Sequence, residues 1–474
     1  MQPLMSRLLI SAAHKSSGKT TVSIGLCAAL RARGLAVQPF KKGPDYIDPM
    51  WLAQASGRPC YNLDFYIQSR DEIRQSFLRH SAGADIALVE GNKGLYDGLD
   101  LDGSNSNAEL SKVLKLPVVL VIDTRGVIRG VAPLLLGYQA FDKDVNIAGV
   151  ILNNVGGARH ESKLRAVVEH YTDIPLLGAV HHDPALQILE RHLGLVPANE
   201  QAEAQQHIDE VGRGIAAQVD LDRLLEIARS AAPIEPVVFP APTKASASPI
   251  RIAIAQDAAF GFYYADDLEE LRAAGAELVP FDTLHDTHLP QADALFIGGG
   301  FPESFSRELE ANRTLRREIR DAIESGMPAY AECGGLMYLS RSLAWKGDTH
   351  EMVGVIPGDI VMHPKPVGRG YVRLKETAAL PWPAERGLNA GGDDEVKAHE
   401  FHYSSLENLP GGLTYAYEVR RGHGIDGTHD GLVYKNLLAS YSHLRSVAGH
   451  NWAARFVAWV RAQHRNAPRT ALAH

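Results

Sequence analysis

The chain has 474 residues, 45% of them hydrophobic and 22% charged, with a formal net charge of −8. One hydrophobic core does not extend over that length, so two domains are expected in an ordinary globular composition. The acidic balance, without any Lys/Arg block, excludes a nucleic-acid surface, and no apolar run reaches the ~18 residues of a membrane span. Three cysteines, Cys27, Cys60 and Cys333, are too few for a disulfide framework and lack metal-type spacing. This usage suits a reducing, cytoplasmic setting, and no signal-peptide pattern precedes the first strand.

Short apolar runs alternate with helical patterns through the first half. Strands are predicted at Arg7–Ala13, Ala36–Phe40, Asp85–Glu90, Val118–Asp123, Ile147–Asn153 and Leu176–Val180, and a helix at Thr20–Arg33. Unbroken Val/Ile/Leu strands of this kind predict a buried parallel sheet with helices on both faces. From Gln201 to about Leu225 the chain turns polar and helix-prone. Ala231–Pro249 then has the Pro/Ala/Ser composition of a linker. The β/α alternation restarts with strands at Arg251–Gln256, Ala292–Ile297 and Met327–Ala331, and a further one at Leu437–Tyr441. The expected organisation is an α/β domain over 1–230, a linker over 231–249 and a second α/β domain over 250–474.

Ala13-His14-Lys15-Ser16-Ser17-Gly18-Lys19-Thr20 lies between the first strand and the first helix. It follows the P-loop pattern, with Ala13 in place of the first Gly. Gly18 lets the backbone curl around phosphate, and N–H groups at the helix start face the anion. Ser16, Ser17, Gly18, Lys19, Thr20 and Thr21 are therefore the predicted ATP contacts, with Lys19 on phosphate and the Thr20 hydroxyl on Mg²⁺. Lys15 stands one residue short of the offset found in deviant P-loop ATPases. Two acidic turns follow at strand ends: Lys41-Lys42-Gly43-Pro44-Asp45-Tyr46-Ile47-Asp48 and Glu90-Gly91-Asn92-Lys93-Gly94-Leu95-Tyr96-Asp97. In an open parallel sheet ligands bind at the carboxyl ends of strands, so Asp45 and Glu90 are expected to join Thr20 around Mg²⁺. Asp123 ends another strand at the same edge.

In the second half, Cys333 sits between a predicted strand and Gly334-Gly335, which open a helix over Leu336–Ser340. A nucleophile at such an elbow projects from the sheet, and the adjacent helix start favours its thiolate. Gly298-Gly299-Gly300-Phe301-Pro302-Glu303 follows another strand, and its N–H groups are placed to complete an oxyanion hole with Gly334. A thiolate nucleophile requires a His base. His399, His402, His429 and His443 are available, and His443 follows an apolar strand from whose end it can project. His399-Glu400-Phe401-His402 is one residue short of the zincin spacing, and on a strand its histidines face opposite ways, so no transition-metal site is expected.

These motifs together resemble the cobyrinic acid a,c-diamide synthase family over nearly the whole chain, most weakly from Pro184 to Pro249. The resemblance rests on residues 40–49, 89–98, 298–303, 332–339 and 399–404. It implies two doubly wound parallel-sheet domains, the first P-loop NTPase-like and similar to dethiobiotin synthetase, the second class I glutamine amidotransferase-like. It implies that Cys333 and His443 are catalytic, with Gly299, Gly300 and Gly334 as oxyanion hole. It further implies that Asp45, Tyr46 and Asp97 contact substrate, that Thr20, Asp45 and Glu90 hold Mg²⁺, and that the partners are ATP, glutamine and a tetrapyrrole polycarboxylate. A homodimer is the family expectation. Relatives act on cobyrinate, hydrogenobyrinate, nickel-sirohydrochlorin or sirohaem-type rings, and sirohaem amidation is the competing assignment. A P-loop ATPase switch with a decayed amidotransferase domain is a second alternative. Two departures stand out: His14-Lys15 replaces a Ser- or Gly-rich stretch, and Arg445 stands where class I amidotransferases often place a Glu. The third triad member is then absent, or Glu400 or another acid replaces it.

Overall fold

The computed structural model describes residues 5–186, 188, 190–191, 194–200, 203–235, 249–383 and 395–466. The chain divides into two compact units, Met1–Pro240 and Ala241–His474. Of the expected linker 231–249, residues 236–248 lie outside the described residues.

The first unit is built on a seven-stranded, wholly parallel sheet. Its strands are β1 (Ser6–Ala12), β2 (Val37–Lys42), β3 (Tyr61–Leu63), β4 (Ile86–Glu90), β5 (Val118–Asp123), β6 (Ile147–Val155) and β7 (Leu176–His181), in spatial order β3-β2-β4-β1-β5-β6-β7. Side chains on both faces of β1, β4 and β5 are buried, as their continuous apolar sequences require. Parallel pairing brings the ends of β1, β4 and β2 to one edge, with Lys41 in register with Glu90 and Glu90 with Ile10. The edge strand β3 has three residues, too short for a periodic signal.

Helix α1 (Lys19–Ala32) packs on the helix Ala204–Ala216, which buries Ile208, Val211 and Ile215. The approach is close because each helix presents a glycine. A Cβ on Gly25 would lie 2.3 Å from Ile215 Cγ1, and one on Gly212 would lie 2.8 Å from the Ala28 Cβ. The polar, helix-prone stretch after Gln201 thus supplies the cover for α1.

The second unit has a nine-stranded sheet that is parallel only over its first five strands. In spatial order these are Ala276–Phe281, Ile250–Ala255, Ala294–Ile297, Ala329–Glu332 and Leu437–Ser440. Four antiparallel strands extend it: His429–Tyr434, Thr414–Arg421, Gly368–Glu376 and Glu395–His402. The predicted helix after Cys333 runs Gly334–Leu339, and Ser340 already begins a strand of a separate four-stranded sheet. Tyr330, Phe296, Trp382, Trp452 and Phe456 form an aromatic cluster in this unit's core. Among the described residues no helix is long and apolar enough to cross a membrane.

The glycine contact gives a direct test of the α1 packing. Gly25→Val should lower the stability of the first unit by about 1–3 kcal/mol, because the interhelical gap cannot take the added carbons. Chemical denaturation of the full chain, followed by a probe in the first unit, should report an earlier midpoint.

Candidate active sites

The P-loop runs from Ala13 into α1. Gly18 caps that helix with φ of 80°, and a Cβ there would lie 2.1 Å from Asn153 Nδ2. Asn153, at the end of β6, donates to the Ser17 carbonyl oxygen at 2.9 Å. Only glycine therefore fits the position: the backbone is left-handed and a neighbouring strand fills the space. The Ser17 hydroxyl closes the turn by donating to the His14 carbonyl oxygen at 2.8 Å.

Thr20 lies at the start of α1, and its hydroxyl donates to Glu90 Oε1 at 2.6 Å. The same oxygen lies 3.3 Å from Lys19 Nζ and 3.1 Å from Lys41 Nζ. Glu90 is fully buried, and its other oxygen, Oε2, has no hydrogen-bond partner among the described residues. The second acid beside Thr20 is Asp48, at 3.4 Å, which is also paired with Lys41. Asp45 is turned to another task. Its Oδ1 accepts from the Ile47 and Asp48 N–H groups at 3.0 and 3.1 Å, capping helix α2 (Ile47–Ser56), and its Oδ2 lies 3.8 Å from Lys41. Desolvation and the Asp48 carboxylate outweigh Lys41 and push Asp45 up to about 7. Burial opposes the charge on Lys41, but Asp48, Glu90 and Asp45 outweigh it and hold the ammonium charged. Lys41 and Asp48 are thus site residues that motif reading left unassigned, although both lie inside the quoted 40–49 stretch.

Tyr46 is buried at the start of α2. Asp97 accepts from the Gly94 N–H at 2.9 Å and shapes the turn after β4. Lys42 faces Asn92 Oδ1 at 3.2 Å and Asn105 Oδ1 at 3.3 Å, and burial lowers it to about 8. Among the described residues no three His, Cys, Asp or Glu side chains form a ready ion site. The donor set of the Thr20 hydroxyl, Asp48 and the orphaned Glu90 Oε2 fits Mg²⁺ held jointly with phosphate oxygens, which is how that ion is commonly bound.

In the second unit Cys333 has φ of 45° and ψ of −100°, a conformation costly for a non-glycine residue and expected of a nucleophile elbow. Its N–H donates to the Ser440 carbonyl oxygen at 2.7 Å, and Glu332 is in register with Ser440. The elbow and the segment leading to His443 therefore leave the sheet side by side. Gly299 and Gly300 form a short strand against Phe260–Phe262. A Cβ on Gly334 would lie 2.9 Å from the Gly300 nitrogen, and one on Gly299 would lie 2.7 Å from His443 Cε1. Cys333, the three predicted oxyanion residues and His443 are thus packed into one site.

The helix start favours the thiolate but is outweighed. Burial, then the Glu303 carboxylate, push the Cys333 thiol up, and the Gly334 N–H offsets only part of this. His443 Nδ1 lies 3.4 Å from Glu332 Oε2. Glu332 Oε1 accepts from the Tyr330 hydroxyl at 2.5 Å and from the Leu444 N–H at 2.9 Å. The acid beside His443 is therefore the residue directly before the nucleophile. Glu400 is engaged elsewhere, accepting from the His423 and Gly424 N–H groups at 2.7 and 2.8 Å. Arg445 is buried, bonds Asp266 at 2.6 Å and lies over the Tyr264 ring, so it anchors the helix Ala265–Ala273. His399 stacks on His443 with ring centroids 4.9 Å apart. Burial, then His443, push His399 well below the ordinary imidazole range, which keeps it neutral.

A P-loop and a buried Cys-His-Glu cluster on one chain fit the class of glutamine-dependent ligases. Residues 9–196 match the CobQ/CobB/MinD/ParA nucleotide binding domain, and residues 251–450 match the CobB/CobQ-like glutamine amidotransferase domain. The chain is 49% identical over 452 residues to the cobyrinate a,c-diamide synthase of Magnetococcus marinus, covering 94% of this chain and 95% of that one. It is 44% identical to the enzyme of that name from Methanosarcina acetivorans, covering 95% and 94%, and 41% identical to that from Archaeoglobus fulgidus, covering 95% and 96%. The chain belongs to the cobyrinate a,c-diamide synthase family.

Glu332 can be separated from Glu400 by substitution. Glu332→Gln should lower glutamine hydrolysis by about 10²-fold or more by leaving His443 without its carboxylate, whereas Glu400→Gln should leave the rate much nearer wild type. Steady-state glutaminase assays on both variants check this.

Proposed function

We propose that this protein uses ATP and glutamine to amidate peripheral carboxylates of cobyrinate. The observation that supports this most strongly is the 49% identity to a cobyrinate a,c-diamide synthase over 94% of the chain. In this reading His443 removes the Cys333 thiol proton as Sγ attacks the side-chain amide carbon of glutamine. The thiol is buried and held up, so proton transfer and attack proceed together rather than from a standing thiolate. The Gly300 and Gly334 N–H groups receive the developing oxyanion. His443 passes the proton to departing ammonia, and water then cleaves the thioester to release glutamate. Glu332 orients the ring through Nδ1 and steadies its positive charge.

In the first unit the P-loop amides and Lys19 hold the triphosphate. A carboxylate oxygen of the acceptor attacks the γ-phosphorus, ADP departs and an acyl phosphate results. Ammonia then attacks the acyl carbon and expels phosphate. Phosphoryl transfer of this kind needs positioned positive charge, which Lys19 and Lys41 supply. Thr20, Asp48 and Glu90 are the residues that would hold Mg²⁺, with Asp45 behind them, and the ion's charge offsets that of the phosphates. Asp45, Tyr46 and Asp97 border the acceptor through the turns they shape.

Two outcomes test the reading. Cys333→Ala should lose glutamine-dependent amidation by about 10⁴-fold or more while keeping amidation driven by free ammonium; loss of both would detach Cys333 from nitrogen supply. Mass spectrometry of products from cobyrinate and from sirohydrochlorin, offered separately, should show exchange of hydroxyl for amino only on cobyrinate. Amidation of sirohydrochlorin alone would overturn the acceptor assignment.

A further inference from the structure

We propose that the second unit carries a binding site for a polyvalent anion, built from five arginines and distinct from the glutamine site. The helix Arg313–Glu324 places Arg313, Arg316, Arg317 and Arg320 on one face, while Leu315, Ile319 and Ile323 are buried on the other. With Arg341 these side chains line an open cavity of about 580 Å³, within the usual range for small-molecule sites. One carboxylate, Glu351, shares the lining; it is 3.7 Å from Arg316 and mostly exposed. Arg341 is held by Asp359 through Nε at 2.8 Å. Arg313 and Arg317 have no hydrogen-bond or ion-pair partner among the described residues, and Arg320 faces only the Glu324 carboxylate one turn on, without a hydrogen bond to it.

The arrangement is unfavourable for the helix by itself. Like charges three and four residues apart repel, and cations near a helix N-terminus oppose the macrodipole. No acidic residue in the first turn compensates. The second observation is Arg316, which is only 8% exposed. Its two terminal nitrogens donate to the Met352 and Glu310 carbonyl oxygens at 2.7 and 2.8 Å, but its buried Nε has no partner among the described residues. Buried donors are ordinarily satisfied, so an unused guanidinium donor on a cavity-lining residue is out of the ordinary. The guanidinium fork matches phosphate or carboxylate oxygens, and five arginines against a single lining carboxylate call for a ligand with several negative charges.

The cavity floor also leads to the elbow. Beyond Met352, the Val353 and Val355 N–H groups donate to the Tyr338 and Leu339 carbonyl oxygens at 2.9 and 3.0 Å, and these residues end the helix that begins at Gly334. An anion among these arginines would thus lie beside the loop, held by Arg316 through Met352, that supports the helix following Cys333. The shared ligand chemistry is polyanionic oxygen, from a polyphosphate or a polycarboxylate.

Calorimetric titration of the full chain at low ionic strength tests the site, with inorganic tripolyphosphate and butanetetracarboxylate as separate probes. Lys19→Ala serves as the parent protein, to suppress phosphate binding at the P-loop. Adding Arg317→Ser and Arg320→Ser should weaken saturable binding by about tenfold or more, with an unchanged circular dichroism spectrum. Lysines at the same two positions should retain part of the affinity. Binding of tripolyphosphate alone assigns the site to phosphate ligands, and binding of the tetracarboxylate alone assigns it to carboxylate ligands; either supports it. Equal affinity with and without the two arginines, or no saturable binding of either probe, would overturn it.

Discussion

A buried carboxylate at the end of a central parallel strand is the constraint on which each active site depends. Glu332 ends the elbow strand and joins three things: the Tyr330 hydroxyl within its own strand, the Leu444 N–H and the His443 ring. Removing a carboxylate from water costs several kcal/mol unless its oxygens are occupied. Here the groups that satisfy the oxygens belong to the segments that must stay aligned for catalysis. Stability and positioning are thus the same set of contacts.

The first unit repeats the device with a different emphasis. Glu90 ends β4, is fully buried and shares one oxygen among Thr20, Lys19 and Lys41. The parallel topology places β1, β4 and β2 side by side, so the P-loop and both acidic turns must converge on this residue. Glu332 lies beside His443, whereas Glu90 gathers cations and a hydroxyl around one oxygen and leaves the other open. Asp48 reaches the same centre from α2, and its helix is in turn capped by Asp45. The acidic turn therefore divides its labour between one residue at the centre and one that fixes the turn.

Most of the parallel strands, the P-loop and the Cys elbow were legible because each is a local pattern with a local physical cause. The parallel edge strand Ala276–Phe281, only partly buried, was not predicted, and His443 was singled out among several histidines by the family resemblance. β3 was too short to carry periodicity, and the antiparallel half of the second sheet has mixed, half-exposed strands without a continuous apolar run. Glu332 escaped because its role depends on strand pairing: only the register of Glu332 with Ser440 carries the acid beside the segment that turns to His443. Asp48 escaped for a related reason. Asp45 and Asp48 are equivalent as text, and the direction of α2 decides which carboxylate faces Thr20. Arg445, which seemed to remove a triad member, serves packing through Asp266 and Tyr264.

The elevated thiol of Cys333 bears on how the proposed glutamine hydrolysis begins. Burial and Glu303 hold the thiol up, and in the proposed mechanism His443 takes its proton as the amide carbon arrives. Neutral His399, stacked on His443, adds no charge to oppose the imidazolium that then forms. In the proposed mechanism the strained elbow sets where sulfur sits, the glycine turn receives the oxyanion, and Glu332 sets which nitrogen of His443 is left to face the thiol. Reactivity in this site is therefore a property of the complete arrangement and not of the cysteine alone.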